Sequence, residues 1–261
     1  MTESALPIGL QLYTLRNMDA TEDEVLAAVK GVGYAYVETV HRTDLSGADW
    51  KRLLDGHGLR AVSAHVPQEA FESDLDGTLR TYSDLGVEHV IVPAPGGNFF
   101  SPGTEYRAAD WVRLADSLRS IGQGCRDAGM NLLYHNHWQE MEQFDGRLAI
   151  DILLADTEPD VLGYEPDCAW ISKGGQNPVE LLRRYAGRVP CVHMKDLAPE
   201  GENEDQMGLA DVGSGTLDWD AIFPQISASG ARWYIVEHDM PGDYVQSITN
   251  SYEFIAGHLG S

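Results

Sequence analysis

Four short apolar runs in this chain each end in carboxylate or imidazole. Asn131-Leu132-Leu133 leads into Tyr134-His135-Asn136-His137-Trp138-Gln139-Glu140, and Val161-Leu162-Gly163-Tyr164-Glu165-Pro166 into Asp167. Val189-Pro190-Cys191-Val192 leads into His193-Met194-Lys195-Asp196, and Trp233-Tyr234-Ile235-Val236 into Glu237-His238-Asp239. Three carboxylates and one imidazole, Glu140, Asp167, His193 and Glu237, suit a hard or borderline divalent cation. Mn²⁺ is the foremost candidate, and Mg²⁺, Co²⁺ or Zn²⁺ can substitute. Any one of these residues alone could be a satisfied polar group at a strand end. Four on successive strands argue for a metal-assisted site.

Such a site needs elements that bring distant residues to one mouth. A strand followed by a helix recurs about every 30 residues, as βαβ units require. The expected strands are Ile8 to Tyr13, Tyr36 to Thr39, Ala61 to His65 and His89 to Pro93, followed by the four runs above. Between them helices are expected from Thr21 to Gly33, Asp49 to Asp55, Leu75 to Leu85 and Ala109 to Ala128. Further helices are expected near Ile150 to Asp156, Pro178 to Tyr185, Trp219 to Ser227 and Tyr244 to His258. Gly/Pro-rich sequence through Pro102-Gly103 reads as a loop. Eight such pairs in 261 residues predict an α/β fold, a (β/α)₈ barrel forming a single domain over 1–261, in which strand C-termini converge.

Within that frame, His135 and His137 share a strand face at period two, and either could replace Glu140 as ligand. His137 is the candidate general base, with an expected pKa near the histidine value of about 6.5, His135 a second candidate, and Glu237 a candidate catalytic residue as well as a ligand. Lys195 and Asp196 stand close enough to His193 to orient substrate or stabilise an enolate oxygen. Gln11, His65, Asn136 and His238 are candidate hydroxyl partners, and Trp170 a candidate wall against a sugar ring.

Composition narrows the partners. A formal charge of −23 with only 18 scattered basic residues excludes a nucleic-acid binder, because phosphate contacts need clustered Lys and Arg. No apolar run approaches the roughly 20 residues of a membrane span. The acidic start, Met1 to Pro7, lacks the basic and apolar regions of a signal peptide, so a soluble cytoplasmic protein is expected. Cys125, Cys168 and Cys191 show neither metal nor redox spacing and are expected as reduced, buried thiols.

Taken together, Ile8 to Arg16, the Tyr134-His135-Asn136-His137 motif with Glu140, Glu165 to Trp170, Val192 to Asp196, Val236 to Asp239 and Val212 to Trp219 resemble the xylose isomerase-like barrel superfamily, specifically its sugar phosphate isomerase/epimerase members. The resemblance spans nearly the whole chain and implies metal-dependent chemistry on a sugar or keto-sugar through an enediolate. Where better-known ketose epimerases of the group carry a glutamate on a mid-barrel strand, this chain offers His135 or His137. Isomerisation or epimerisation is the first expectation. A lyase releasing the aglycone of 3-keto-glycosides is the alternative, and a sugar-binding barrel the non-enzymatic one. The expected partner is a small-molecule sugar or keto-glycoside. A homo-oligomer or a small β-rich partner subunit is the protein assembly the resemblance implies.

Overall fold

Eight parallel strands form one sheet, built from β1 (Ile8–Gln11), β2 (Tyr36–Val40), β3 (Arg60–His65), β4 (His89–Val92), β5 (Asn131–His135), β6 (Gly163–Glu165), β7 (Cys191–Met194) and β8 (Trp233–Val236). The computed structural model describes residues 6–97, 99–101, 103–155 and 157–260. Met1 to Ala5, Asn98 and Pro102 of the expected loop, Asp156 at the end of the expected helix Ile150 to Asp156, and Ser261 lie outside the described residues. The strand order is β6-β5-β4-β3-β2-β1-β8-β7. A parallel bridge between Asp167 and His193, with the His193 amide donating to the Pro166 carbonyl at 2.9 Å, draws β6 and β7 together and closes the ring. The expected barrel is therefore the fold observed.

The helices begin where side chains can satisfy free amides. Thr21 and Glu24 form a reciprocal capping box that starts Glu22–Val32. Asp74 accepts from the Gly77 amide and starts Leu75–Leu85, which stops at Gly86 in the left-handed region (φ 85°). Two short helices, Gln68–Ser73 and Cys168–Lys173, were not expected, because neither is long enough to show apolar periodicity. The first strand ends two residues early. The Gln11 carbonyl oxygen of the side chain accepts from the Tyr13 amide at 3.0 Å and turns the chain into a 3₁₀ helix, Leu12–Leu15.

The barrel interior is layered. Val62, Ile91, Leu133, Cys191, Trp233 and Ile235 pack into one buried cluster contributed by five strands. Side chains alternate along a strand, so the residue two places on from such a plug position faces inward as well. Leu133 is thus followed by His135, Cys191 by His193 and Ile235 by Glu237. A polar layer lies on the apolar plug at the C-terminal mouth. The larger core lies outside, between sheet and helices. The three cysteines are free and buried, as expected. Among the described residues, no helix is long and apolar enough to cross a membrane.

At the opposite end of β4, buried His89 lies 3.3 Å from the Asn131 amide nitrogen. Burial lowers its pKa from 6.5 to about 4, despite the opposing charge of Glu88. Between those values the unfolded chain takes up a proton that the folded chain refuses, so stability falls as pH drops. The loss levels off below about pH 4, at about 3 kcal/mol. Urea unfolding should show His89→Asn losing about 2 kcal/mol less than the parent between pH 7 and pH 5. An identical pH slope in the two proteins would contradict this account.

Candidate active site

The polar layer is centred on two carboxylates inside strands, Glu38 on β2 and Glu165 on β6, both fully buried. Glu38 accepts from the Gln11 amide at 2.7 Å and the Ser63 hydroxyl at 2.5 Å. It also lies 2.7 Å from His193 Nε2 and 2.9 Å from His65 Nε2. Burial would raise the Glu38 pKa, but His65 and His193 hold it well below the usual range. Glu165 lies 3.0 Å from His65, 3.2 Å from His193 and 3.3 Å from His135. Burial, then repulsion from Glu38, pushes it up to about 7.

One turn further out, His193 Nδ1 lies 3.1 Å from Glu237 Oε2. The buried Lys195 ammonium is 2.7 Å from Glu237, 2.7 Å from Asp239 and 3.1 Å from Asp167, and 4.6 Å from the Trp170 ring centre. Burial opposes the charge on Lys195 and His193, but their carboxylate neighbours, Asp167 foremost for Lys195 and Glu165 for His193, raise both well above their ordinary values. Burial would raise Glu237 too, yet Lys195 and His193 hold it well below the carboxylate range. Asp167 is raised, because burial outweighs Lys195 and His193.

Two overlapping groups could hold a cation, each with ligand atoms within 4.8 Å of one another. One is His65, His135, Glu165 and His193; the other is His135, Asp167, His193 and Glu237. Glu165 Oε1 and His135 Nδ1 are buried without a hydrogen-bond partner. Unspent donor atoms beside a surplus of buried carboxylates fit a divalent cation. Two imidazoles with two carboxylates suit a borderline ion better than the oxygen-rich set expected from sequence.

Glu140 is not in either group. Its oxygens accept from the Tyr134 hydroxyl at 2.6 Å and the His137 amide at 2.9 Å, on a 3₁₀ turn, Gln139–Met141. His135, at the strand end, stands where Glu140 was expected. Asn136 completes a clamp on this turn. Its amide nitrogen donates to the His137 carbonyl, and its oxygen accepts from the Tyr164 hydroxyl and the Asp167 amide.

A cavity of about 670 Å³ opens over the site, and His65, His135, His137, Trp170, Glu237 and Asp239 are among the residues lining it. His137 Nδ1 has no hydrogen-bond partner, and its ring lies 5.1 Å from that of His135 and stacks at 6.0 Å on Trp170. Burial, reinforced by Lys195, lowers the His137 pKa to about 3, well below the expected value near 6.5.

Four expected substrate contacts lie off the cavity wall. Gln11 is spent on Glu38 and the Tyr13 amide. Asn136 is spent on its clamp. His238 Nδ1 accepts from the Met240 amide. Asp196 is fully buried and accepts from the Leu197, Gly213, Gly215 and Leu217 amides and from Trp219 Nε1. Lys195 is also behind the wall, bound to carboxylates instead of facing substrate. Glu38, Glu165 and Asp239 were not singled out from sequence, although the two-residue phase from Tyr36 to Glu38 and Gly163 to Glu165 marks both glutamates as sharing one strand face.

Comparison with known proteins agrees with this architecture. The chain is 30% identical to an inosose dehydratase of Lacticaseibacillus casei, covering 84% of this chain and 82% of that protein. It is 28% identical to the inosose dehydratase of Geobacillus kaustophilus, covering 83% and 80%. A crystal structure of a sugar phosphate isomerase/epimerase from Parabacteroides distasonis shares the fold, with a TM-score of 0.79 and 22% identity over 98% of this chain and 95% of that one. Residues 26–255 match the family model described as xylose isomerase-like TIM barrel. By its closed eight-stranded barrel and by that match, the chain belongs to the xylose isomerase-like TIM barrel family.

Proposed function

We propose that the chain is a sugar-modifying lyase that removes water from a polyhydroxy ketone of the inosose type, with a divalent cation held by His135, Asp167, His193 and Glu237. The observation that carries this reading is the unpaired His137 Nδ1 on the cavity wall beside His135. A bound cation would polarise the substrate carbonyl and acidify the adjacent C–H, so that a weakly basic imidazole suffices.

His137 is held neutral by its burial, and Nδ1, in the tautomer with the ring proton on Nε2, would take up that proton. The electrons of the broken C–H bond form the new C=C as the β-hydroxyl departs. Once protonated, His137 is strongly acidic in this environment, and it hands its proton to the departing hydroxyl, giving water. Asn136 and Glu140 hold the His137 carbonyl and amide, which fixes the ring on the wall. Lys195 holds Asp167 and Glu237 in place and keeps Glu237 ionised. Isomerisation and epimerisation begin with the same proton removal. The identity to inosose dehydratases favours loss of water as the second step.

Incubation of an inosose with the purified protein, followed by NMR, tests the reading. An unsaturated ketone and chelator-sensitive turnover are expected. An epimer or isomer without loss of water would assign the chain to the other branch. His137→Ala should lower turnover about 10² to 10⁴-fold while bound metal is retained. Metal loss in this variant would make His137 a ligand.

A further inference from the structure

His193 turns its two ring nitrogens to two different sets of carboxylates. Nδ1 lies 3.1 Å from Glu237 and 3.9 Å from Asp167, both members of the proposed cation group. Nε2 lies 2.7 Å from Glu38 and 3.2 Å from Glu165. A neutral imidazole has one ring lone pair to give, so only one of the two nitrogens can bind the cation. The proton on the other nitrogen, and the acceptor that holds it, decide which one that is.

Glu38 is placed to be that acceptor. It belongs to neither group that could hold a cation and is not among the residues lining the cavity. Its Oε1 accepts from Gln11 at 2.7 Å and lies 2.7 Å from His193 Nε2 and 2.9 Å from His65 Nε2. Its Oε2 accepts from the Ser63 hydroxyl at 2.5 Å. The backbone is shaped to allow this. Val37 pairs with Ala61 but Glu38 with Ser63, so β3 carries one extra residue, Val62, at this point. Successive strand residues ordinarily face opposite ways. Here Val62 packs in the apolar plug while Ser63, next to it, turns its hydroxyl to Glu38. Bulges that re-aim a side chain in this way are over-represented beside active sites.

We infer that Glu38 is a positioning residue that keeps the His193 ring proton on Nε2, so that the Nδ1 lone pair faces Asp167 and Glu237 and takes the cation. The inference rests on the reading of His135, Asp167, His193 and Glu237 as the cation site. Were the ion held instead with His65 and Glu165, Nε2 would be the ligand and its hydrogen bond to Glu38 would be lost.

Nitrogen-15 NMR of histidine-labelled protein loaded with Zn²⁺, a diamagnetic probe, tests it on the unaltered chain. His193, assigned by its missing signals in His193→Gln, should show a protonated Nε2 and a metal-bound Nδ1. A metal-bound Nε2 overturns the inference and the cation group together. Calorimetric titration of metal-stripped protein with Zn²⁺ gives the second readout. Glu38→Leu, which removes the acceptor at similar volume, should weaken Zn²⁺ binding about 10 to 100-fold. Glu38→Gln should recover most of that loss, since its oxygen can face Gln11, His65 and His193 while its NH₂ faces the Ser63 hydroxyl. Equal affinities in Glu38→Leu and the parent, with Nδ1 metal-bound, overturn the inference and leave the cation group standing. A Glu38→Gln as weak as Glu38→Leu also overturns it. The ring signals decide the matter even where Glu38→Leu does not fold. A parent protein that takes up no Zn²⁺ removes the cation site and this inference together.

Discussion

Asp167→Asn is expected to lower turnover about a thousandfold or more and to strip the bound cation, with the fold kept. The two oxygens of Asp167 have separate duties. Oδ1 accepts from the Trp170 amide at 2.8 Å and caps the helix Cys168–Lys173, a task an asparagine oxygen performs as well. Oδ2 faces Lys195 at 3.1 Å and lies within the group that could hold a cation. The substitution removes charge and a ligand atom from one duty and leaves the other intact. Thermal melting should move by only a few degrees, corresponding to about 1–2 kcal/mol from placing an amide beside the Lys195 ammonium. Full activity with bound metal would remove Asp167 from the site.

The second large effect is on stability. Asp196→Ala is expected to cost about 3–5 kcal/mol and to lower the melting temperature by on the order of 10 °C. Five donors converge on this one carboxylate: the Leu197, Gly213, Gly215 and Leu217 amides and the Trp219 indole. With the carboxylate gone they face a cavity, and burial makes each unpaired donor costly. The loop is shaped around that group, since a Cβ on Gly215 would stand 2.3 Å from Asp196 Oδ1. Asp196→Asn should fail in the same direction, because its NH₂ would meet N–H donors. A melting temperature within about 2 °C of the parent would return Asp196 to the substrate contacts expected from sequence.

The barrel was legible because its signals are periodic. Strand and helix patterns repeat at a fixed spacing, and each of the eight expected helices has Gly, Asp, Ser, Thr or Pro at or next to one of its ends. Asp167, His193 and Glu237 fall together in one candidate group, and their positions at the ends of apolar runs are what bring them there. Glu140 lies in neither candidate group, since a 3₁₀ turn three residues past β5 carries its carboxylate onto Tyr134 and the His137 amide. Strand periodicity alone cannot foresee that turn. Glu38 and Glu165 were hidden for a different reason. Each sits inside a strand whose other residues read as ordinary β sequence, and only barrel closure aims both at His65 and His193. The Asp196 network was invisible because its donors are backbone amides, which any sequence supplies.

The central claim is that His135, not Glu140, joins Asp167, His193 and Glu237 around a divalent cation. Elemental analysis of purified parent, His135→Ala and Glu140→Gln proteins tests it most directly. The account predicts about one divalent ion per chain in the parent and in Glu140→Gln, and its loss in His135→Ala. Retention in His135→Ala with loss in Glu140→Gln would contradict the account and make Glu140 the ligand.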